Sequence, residues 1–172
     1  MDDLDSAVLD AIGESRGVRP GYEGASSVGG GCIHRATRLR AGGASYFVKT
    51  NSVSASAMFA AEAGGLAALA VLPDLAVPAV VARGSAGGQA FLVLEWMDLE
   101  PLDRTSGSRL GESLAALHRL PCGEEYGWSE DNFIGATPQR NEPRRAWARF
   151  FADLRLKPQL GMARGKGMDP RL

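Results

Sequence analysis

Val28-Gly29-Gly30-Gly31-Cys32-Ile33, then Tyr46-Phe47-Val48-Lys49, then Glu62 on the helix that follows, decide how this chain is read. Three consecutive glycines between two expected strands let the backbone take φ > 0 and bring N–H groups against an anion without side-chain interference. A glycine hairpin that only turns the chain carries the same signature. The residues downstream discriminate. Period two puts Lys49 on the sheet face shared by Phe47, beneath the glycine turn. Glu62 interrupts an apolar helical stripe made of Met58, Leu66 and Leu69. A carboxylate turned toward a sheet requires a cation, since an unpaired charge is costly to take out of water, and Lys49 is the nearest upstream strand residue to provide one. At the edge of the stripe, Glu62 would instead be solvated.

Around this centre the pattern predicts a short helix from Asp3 to Ile12, with Leu4, Val8, Leu9 and Ile12 on one face behind acidic residues. Strands are expected at His34 to Arg40 and Ser45 to Thr50, joined by Ala41-Gly42-Gly43. Ser54 to Leu72 reads as a helix capped by Ser54 or Ser56 and ending near Pro73. Val77 to Ala82 and Ala90 to Trp96 read as a hairpin turning at Gly84 to Gly88, its second strand buried. After a linker at Met97 to Thr105, Gly107 to Leu120 returns to helical period through Leu110, Leu114 and Leu117 until Pro121. His118 falls on that apolar face as a partly buried structural histidine. Gly123 to Pro143 is turn-rich, and Arg144 to Leu156 aligns Trp147, Phe150, Phe151 and Leu154 on one helical stripe.

The order of glycine turn, strand lysine, helix glutamate, hairpin and linker is the layout by which protein-kinase-like lobes hold ATP phosphates with a lysine and orient it with a carboxylate. In that layout Glu95 to Met97, where the buried strand ends, would offer backbone groups to an adenine edge. His118-Arg119 is not a catalytic loop, because Leu120-Pro121 follow in place of an aspartate.

Composition excludes several classes. Nineteen Lys and Arg against twenty Asp and Glu give a net charge of −1, so the chain has no footprint for nucleic acid or an anionic membrane. Cys32 and Cys122 lie far apart, without metal spacing, as expected of free thiols in a reducing cytoplasm. The acidic N-terminus is unlike a signal peptide, and no apolar run approaches the roughly 20 residues of a membrane span. Cys32, beside backbone N–H groups that favour thiolate, is a redox candidate.

The residues resemble the fructosamine-3-kinases, or ketosamine-3-kinases, of the aminoglycoside-phosphotransferase-like branch of the kinase fold. The resemblance rests on Gly29-Gly30-Gly31-Cys32-Ile33, Phe47-Val48-Lys49, Met58-Phe59 with Glu62, Phe91-Leu92-Val93-Leu94-Glu95 and Leu110-Gly111 through Leu117-His118. More restricted is Tyr126-Gly127 with Asp131-Asn132-Phe133-Ile134-Gly135, Thr137-Pro138-Gln139 and Asn141, then Trp147, Phe150-Phe151, Arg155-Leu156 and Pro158-Gln159-Leu160.

The resemblance implies an α+β fold: a protein-kinase-like N-terminal lobe, a twisted antiparallel sheet of about five strands plus one helix, and then the first helices of a truncated helical lobe. It divides the chain into an ATP-binding lobe at 1–97, a linker at 98–106 and a partial second lobe at 107–172. It implies ATP with Mg2+ as cosubstrate and a free or protein-bound ketosamine, phosphorylated at its 3-hydroxyl, as acceptor. Gly29, Gly30 and Gly31 would cover the phosphates, Lys49 would bind them, and Glu62 would position Lys49. The family's His-Gly-Asp catalytic loop and its downstream Asn are missing, since neither His34 nor His118 precedes Gly-Asp. Asp169-Pro170 echoes a metal-site dipeptide without a sheet pattern around it. The expectation is therefore a truncated nucleotide-binding half, inactive alone, with no catalytic or metal residue of its own, that pairs with the missing lobe. The alternative is a non-catalytic binding or homodimerisation module joined through Leu114, Leu117, Trp147, Phe150 and Phe151.

Overall fold

The computed structural model describes residues 2–29, 33–121 and 123–168. Cys122 and Asp169-Pro170 lie outside them. Two compact units form, Met1–Leu120 and Pro121–Leu172.

In the first unit, α1 (Asp3–Arg16) starts at a capping box in which the Asp2 carboxylate accepts from the Asp5 N–H at 2.8 Å. Its last residue, Arg16, lies four residues beyond the expected Ile12, and it stops at Gly17 at φ 84°, the left-handed conformation that glycine adopts without strain. Five antiparallel strands follow in the spatial order β1-β2-β3-β5-β4: β1 (Tyr22–Ser27), β2 (Arg35–Ala41), β3 (Ala44–Ser52), β4 (Val80–Ala86) and β5 (Gln89–Glu95). Gly42 and Gly43, both at positive φ, close the β2–β3 hairpin and fix its register from Ala41 opposite Ala44 to Arg35 opposite Thr50. The β4–β5 turn is Gly87-Gly88 alone. Gly84, expected in that turn, lies inside β4, where an added Cβ would meet the Phe91 ring at 2.7 Å.

The sheet is covered on both faces. Val8, Leu9 and Ile12 of α1 pack on Leu39, Tyr46, Val48, Phe91 and Val93, while Phe59 of α2 (Ser56–Leu69) packs with Ala90, Leu92 and Leu94 on the other face. Strand alternation accounts for this, because successive residues of β3 and β5 point to opposite sides. Ala90 to Leu94 are consequently all buried. The expected serine cap of α2 does not form. A 3-10 turn (Val53–Ala55) precedes the helix, and the Ser56 hydroxyl donates to the Val53 carbonyl at 2.6 Å. The unit continues into α3 (Arg104–His118), capped by Asp103, whose carboxylate accepts from the Ser106 N–H at 2.7 Å and lies below the usual carboxylate range because of that bond. His118 is exposed, not partly buried, because it sits at the final position of a helix with no buried residue.

In the second unit, β6 (Asn132–Ile134) pairs with β7 (Thr137–Gln139). The expected helix from Arg144 starts at Trp147 as α4 (Trp147–Phe151), passes through a π-helical turn (Ala152–Leu156) and continues as α5 (Lys157–Gly165). The aromatic stripe is split. Phe150 and Leu154 are buried, whereas Trp147 and Phe151 are exposed and stack with ring centroids 5.5 Å apart. Asn141, 2% exposed, organises this unit: its N–H donates to Asp131 Oδ1 at 2.8 Å, its Nδ2 donates to the Glu130 carbonyl at 2.9 Å, and its Oδ1 accepts from Arg155.

Candidate functional site

Lys49 Nζ donates to both carboxylate oxygens of Glu62, at 2.8 and 2.7 Å. Strand period brings the lysine to the α2 face of β3, and α2 lays its glutamate across it. Both side chains are partly buried, 21% and 29% exposed, so the pair is neither fully solvated nor fully withdrawn from water. The buried face of α2 is displaced by one residue from the expected Met58 stripe. Phe59, 1% exposed, forms its centre, Ala63 and Leu66 flank it, and Leu69 is exposed.

On the same face of β3, two residues before Lys49, Phe47 lines a cleft of ≈ 370 Å³ shared with Val28, Pro78, Leu94, Glu95, Trp96, Met97 and Leu99. Its walls are mostly apolar. Glu95, which ends β5, turns its carboxylate toward the residue preceding β4, where Oε2 accepts from the Ala79 N–H at 3.3 Å, and Met97 is half-buried. Trp96 is held from two sides: its indole N–H donates to Asp98 Oδ1 at 2.8 Å, and the Arg38 guanidinium lies 4.4 Å from its ring centroid. Gly29 is exposed just past β1 and has open space where a side chain would stand. Gly30, Gly31 and Cys32, and with them the redox expectation, lie outside the described residues.

Two polar residues near the pair were missed in the sequence. The His34 ring packs on Phe59 with centroids 4.7 Å apart, and its Nδ1 lies 2.9 Å from Asn51 Nδ2, which also donates to the Ile33 carbonyl at 2.9 Å. The His34 pKa falls below its ordinary value, first through burial and then through the Lys49 charge, against the opposing pull of Glu62.

An apolar cleft on the strand face of a paired lysine suits a heterocycle carrying an anionic tail. Among the described residues no group of three or more His, Cys, Asp or Glu side chains stands together.

The fructosamine kinase family model matches residues 5–171. This chain belongs to the fructosamine kinase family. It is 45% identical over 138 residues to the "Probable ketoamine kinase" of Synechocystis, covering 80% of this chain and 47% of that protein. It is 34% identical over 164 residues to the chloroplastic protein-ribulosamine 3-kinase of rice, covering 90% and 48%. The crystal structure of a protein assigned as a fructosamine-3-kinase from Haemophilus somnus superposes with a TM-score of 0.90 at 28% identity, over 96% of this chain and 56% of that one. The α+β architecture is thus that of fructosamine kinases, and the chain spans about half the length of the curated relatives it matches. Among the described residues no helix is long and apolar enough to cross a membrane.

Proposed function

We propose that residues 28–97 form the nucleotide-holding part of an ATP-dependent kinase that, at the family's full length, phosphorylates the 3-hydroxyl of a ketosamine. The observation that carries this reading is the two-oxygen grip of Glu62 on Lys49, reached along the strand face from an apolar cleft. Val28, Phe47, Leu94 and Met97 would hold the adenine ring, and the backbone from Glu95 to Met97 would meet its edge, the Glu95 carboxylate being occupied at Ala79. Gly29 to Gly31 would cover the phosphates. Lys49, held in place by Glu62, would neutralise them. Bound ATP supplies the phosphoryl group. Mg2+, which the family implies, would be held largely through the nucleotide phosphates.

Binding and chemistry are then separable. Without a His-Gly-Asp segment, the 172-residue chain supplies no base to orient the acceptor hydroxyl, so transfer to a fructosamine stays at background. Isothermal titration of ATP tests the reading directly: wild type binds, and Lys49→Ala weakens binding at least about tenfold. Undetectable binding by wild type, or equal affinity in Lys49→Ala, overturns it. Adding the downstream half of a close relative should restore transfer, whereas full turnover by the unextended chain would contradict the division of labour.

A second reading, pairing with another chain, is favoured by exposed Leu110 and Leu114 on α3 and exposed Trp147 and Phe151 on α4. Light scattering at rising concentration decides it, since a chain that stays monomeric at the highest concentration excludes a homodimer.

A further inference from the structure

We propose that Asn51 is a positioning residue, which ties the end of the glycine segment at Ile33 to the strand that carries Lys49, and that its full set of bonds exists only while His34 is neutral.

The donors and acceptors around one amide carry this assignment. Asn51 Oδ1 accepts from the Ser52 N–H at 2.7 Å, and Nδ2 donates to the Ile33 carbonyl at 2.9 Å. Two backbone groups of opposite kind therefore fix which end of the amide is oxygen, since a flipped amide would set oxygen against the carbonyl and NH2 against the N–H. The second amide hydrogen is left for His34 Nδ1, 2.9 Å away, which must accept it. His34 is accordingly the neutral tautomer with its proton on Nε2. A proton on Nδ1 would place donor against donor and break this contact.

The surroundings favour the neutral ring. Phe59 of α2 covers one face, and the charged groups that act on it are Lys49 from β3 and Glu62 from α2, the lysine opposing protonation and the glutamate favouring it. Burial and the lysine prevail, which lowers the His34 pKa. Asn51 also stands two residues beyond Lys49 on β3, so one strand holds both the cation and the tether of the segment that precedes β2.

The chain has two histidines, so His118→Gln isolates the His34 imidazole for nitrogen-15 NMR. We expect the Nε2–H tautomer, titrating below the ordinary histidine range. Asn51→Asp, which exchanges a donor for an anionic acceptor, should move the proton to Nδ1 and raise the midpoint. An Nδ1–H tautomer in the parent, or an unmoved midpoint in Asn51→Asp, overturns the proposal. Asn51→Ala should speed amide exchange at Ile33 to Ala36 while β5 stays protected; unchanged exchange at Ile33 to Ala36 overturns the positioning role. The ATP arm rests on the function proposed above: Asn51→Ala should weaken ATP about tenfold, near the effect of one lost hydrogen-bonding group, and equal affinity counts against positioning. If wild type binds no ATP, the proposed function fails, while the tautomer and exchange results still decide the role of Asn51.

Discussion

Lys49 and Glu62 reach each other from a strand and a helix thirteen residues apart in sequence, and the lysine meets both oxygens of the carboxylate. Such a contact exists only while α2 is seated on the sheet, so it reports on the packing of the whole α2 face. Its exposure lies between that of surface pairs, worth little, and buried pairs, whose breakage is costly. A double-mutant cycle of Lys49→Ala and Glu62→Ala in urea should give a coupling of about 1–2 kcal/mol. A coupling indistinguishable from zero would mean that the pair does not persist in solution.

Phe59→Ala should destabilise the first unit by about 3–5 kcal/mol, the range for emptying a buried aromatic site. Phe59→Leu should cost much less. Because the same ring lies on His34, the alanine variant should also remove the ring-current shift from the His34 proton resonances, which separates loss of this contact from a general loss of packing.

Two glycine-to-alanine changes should act in opposite directions. An alanine Cβ at Gly127 would stand 2.8 Å from the Asn141 carbonyl oxygen and 3.0 Å from Pro143 Cα, both backbone atoms that no side-chain rotation can clear. Gly127→Ala should therefore lower stability by about 1–3 kcal/mol. Gly111 lies within α3 with nothing near its Cβ position, so Gly111→Ala should stabilise by about 0.5–1 kcal/mol through lower chain entropy and better helix propensity. Thermal denaturation of the two variants provides the comparison.

Acid should act through His34 in a defined direction. Its folded pKa is lowered, so between that value and the ordinary 6.5 the unfolded chain holds more protons than the folded one. Stability therefore falls as pH drops through this window and the His34 contribution levels off below it. Replacing His34 by Gln should flatten that part of the profile in urea titrations at a series of pH values, and an unchanged slope would assign the loss to other groups.

Much of the site was legible because its logic is local. Period two placed Lys49, and one acidic residue in an apolar helix identified Glu62. The helix face was misplaced by one position because Met58 and Phe59 are both apolar, and only packing against Ala90, Leu92 and Leu94 selects the phenylalanine. The alanine-rich start of α2 likewise concealed the 3-10 turn that displaced the serine cap. The His34–Asn51 contact went unnoticed, although a signal existed. Closing the β2–β3 hairpin at Gly42-Gly43 pairs Arg35 with Thr50, and one further step sets His34 beside Asn51. A partner across a hairpin emerges only after the register is counted, whereas the charge of a lysine is apparent at once.

The same two-sided burial that makes β5 the centre of the first unit also shapes the chain before it folds. Ala90-Phe91-Leu92-Val93-Leu94 has no charge, no proline and no polar side chain, the composition of a segment that pairs with copies of itself when exposed. Its neighbours in the sheet, β3 and β4, are its protection against such pairing, and β3 arrives from some forty residues upstream. During synthesis, Gln89 and Glu95 are the polar residues that border this stretch, and Glu95 supplies its nearest charge. Glu95→Leu would therefore harm yield and solubility more than the stability of molecules that have already folded.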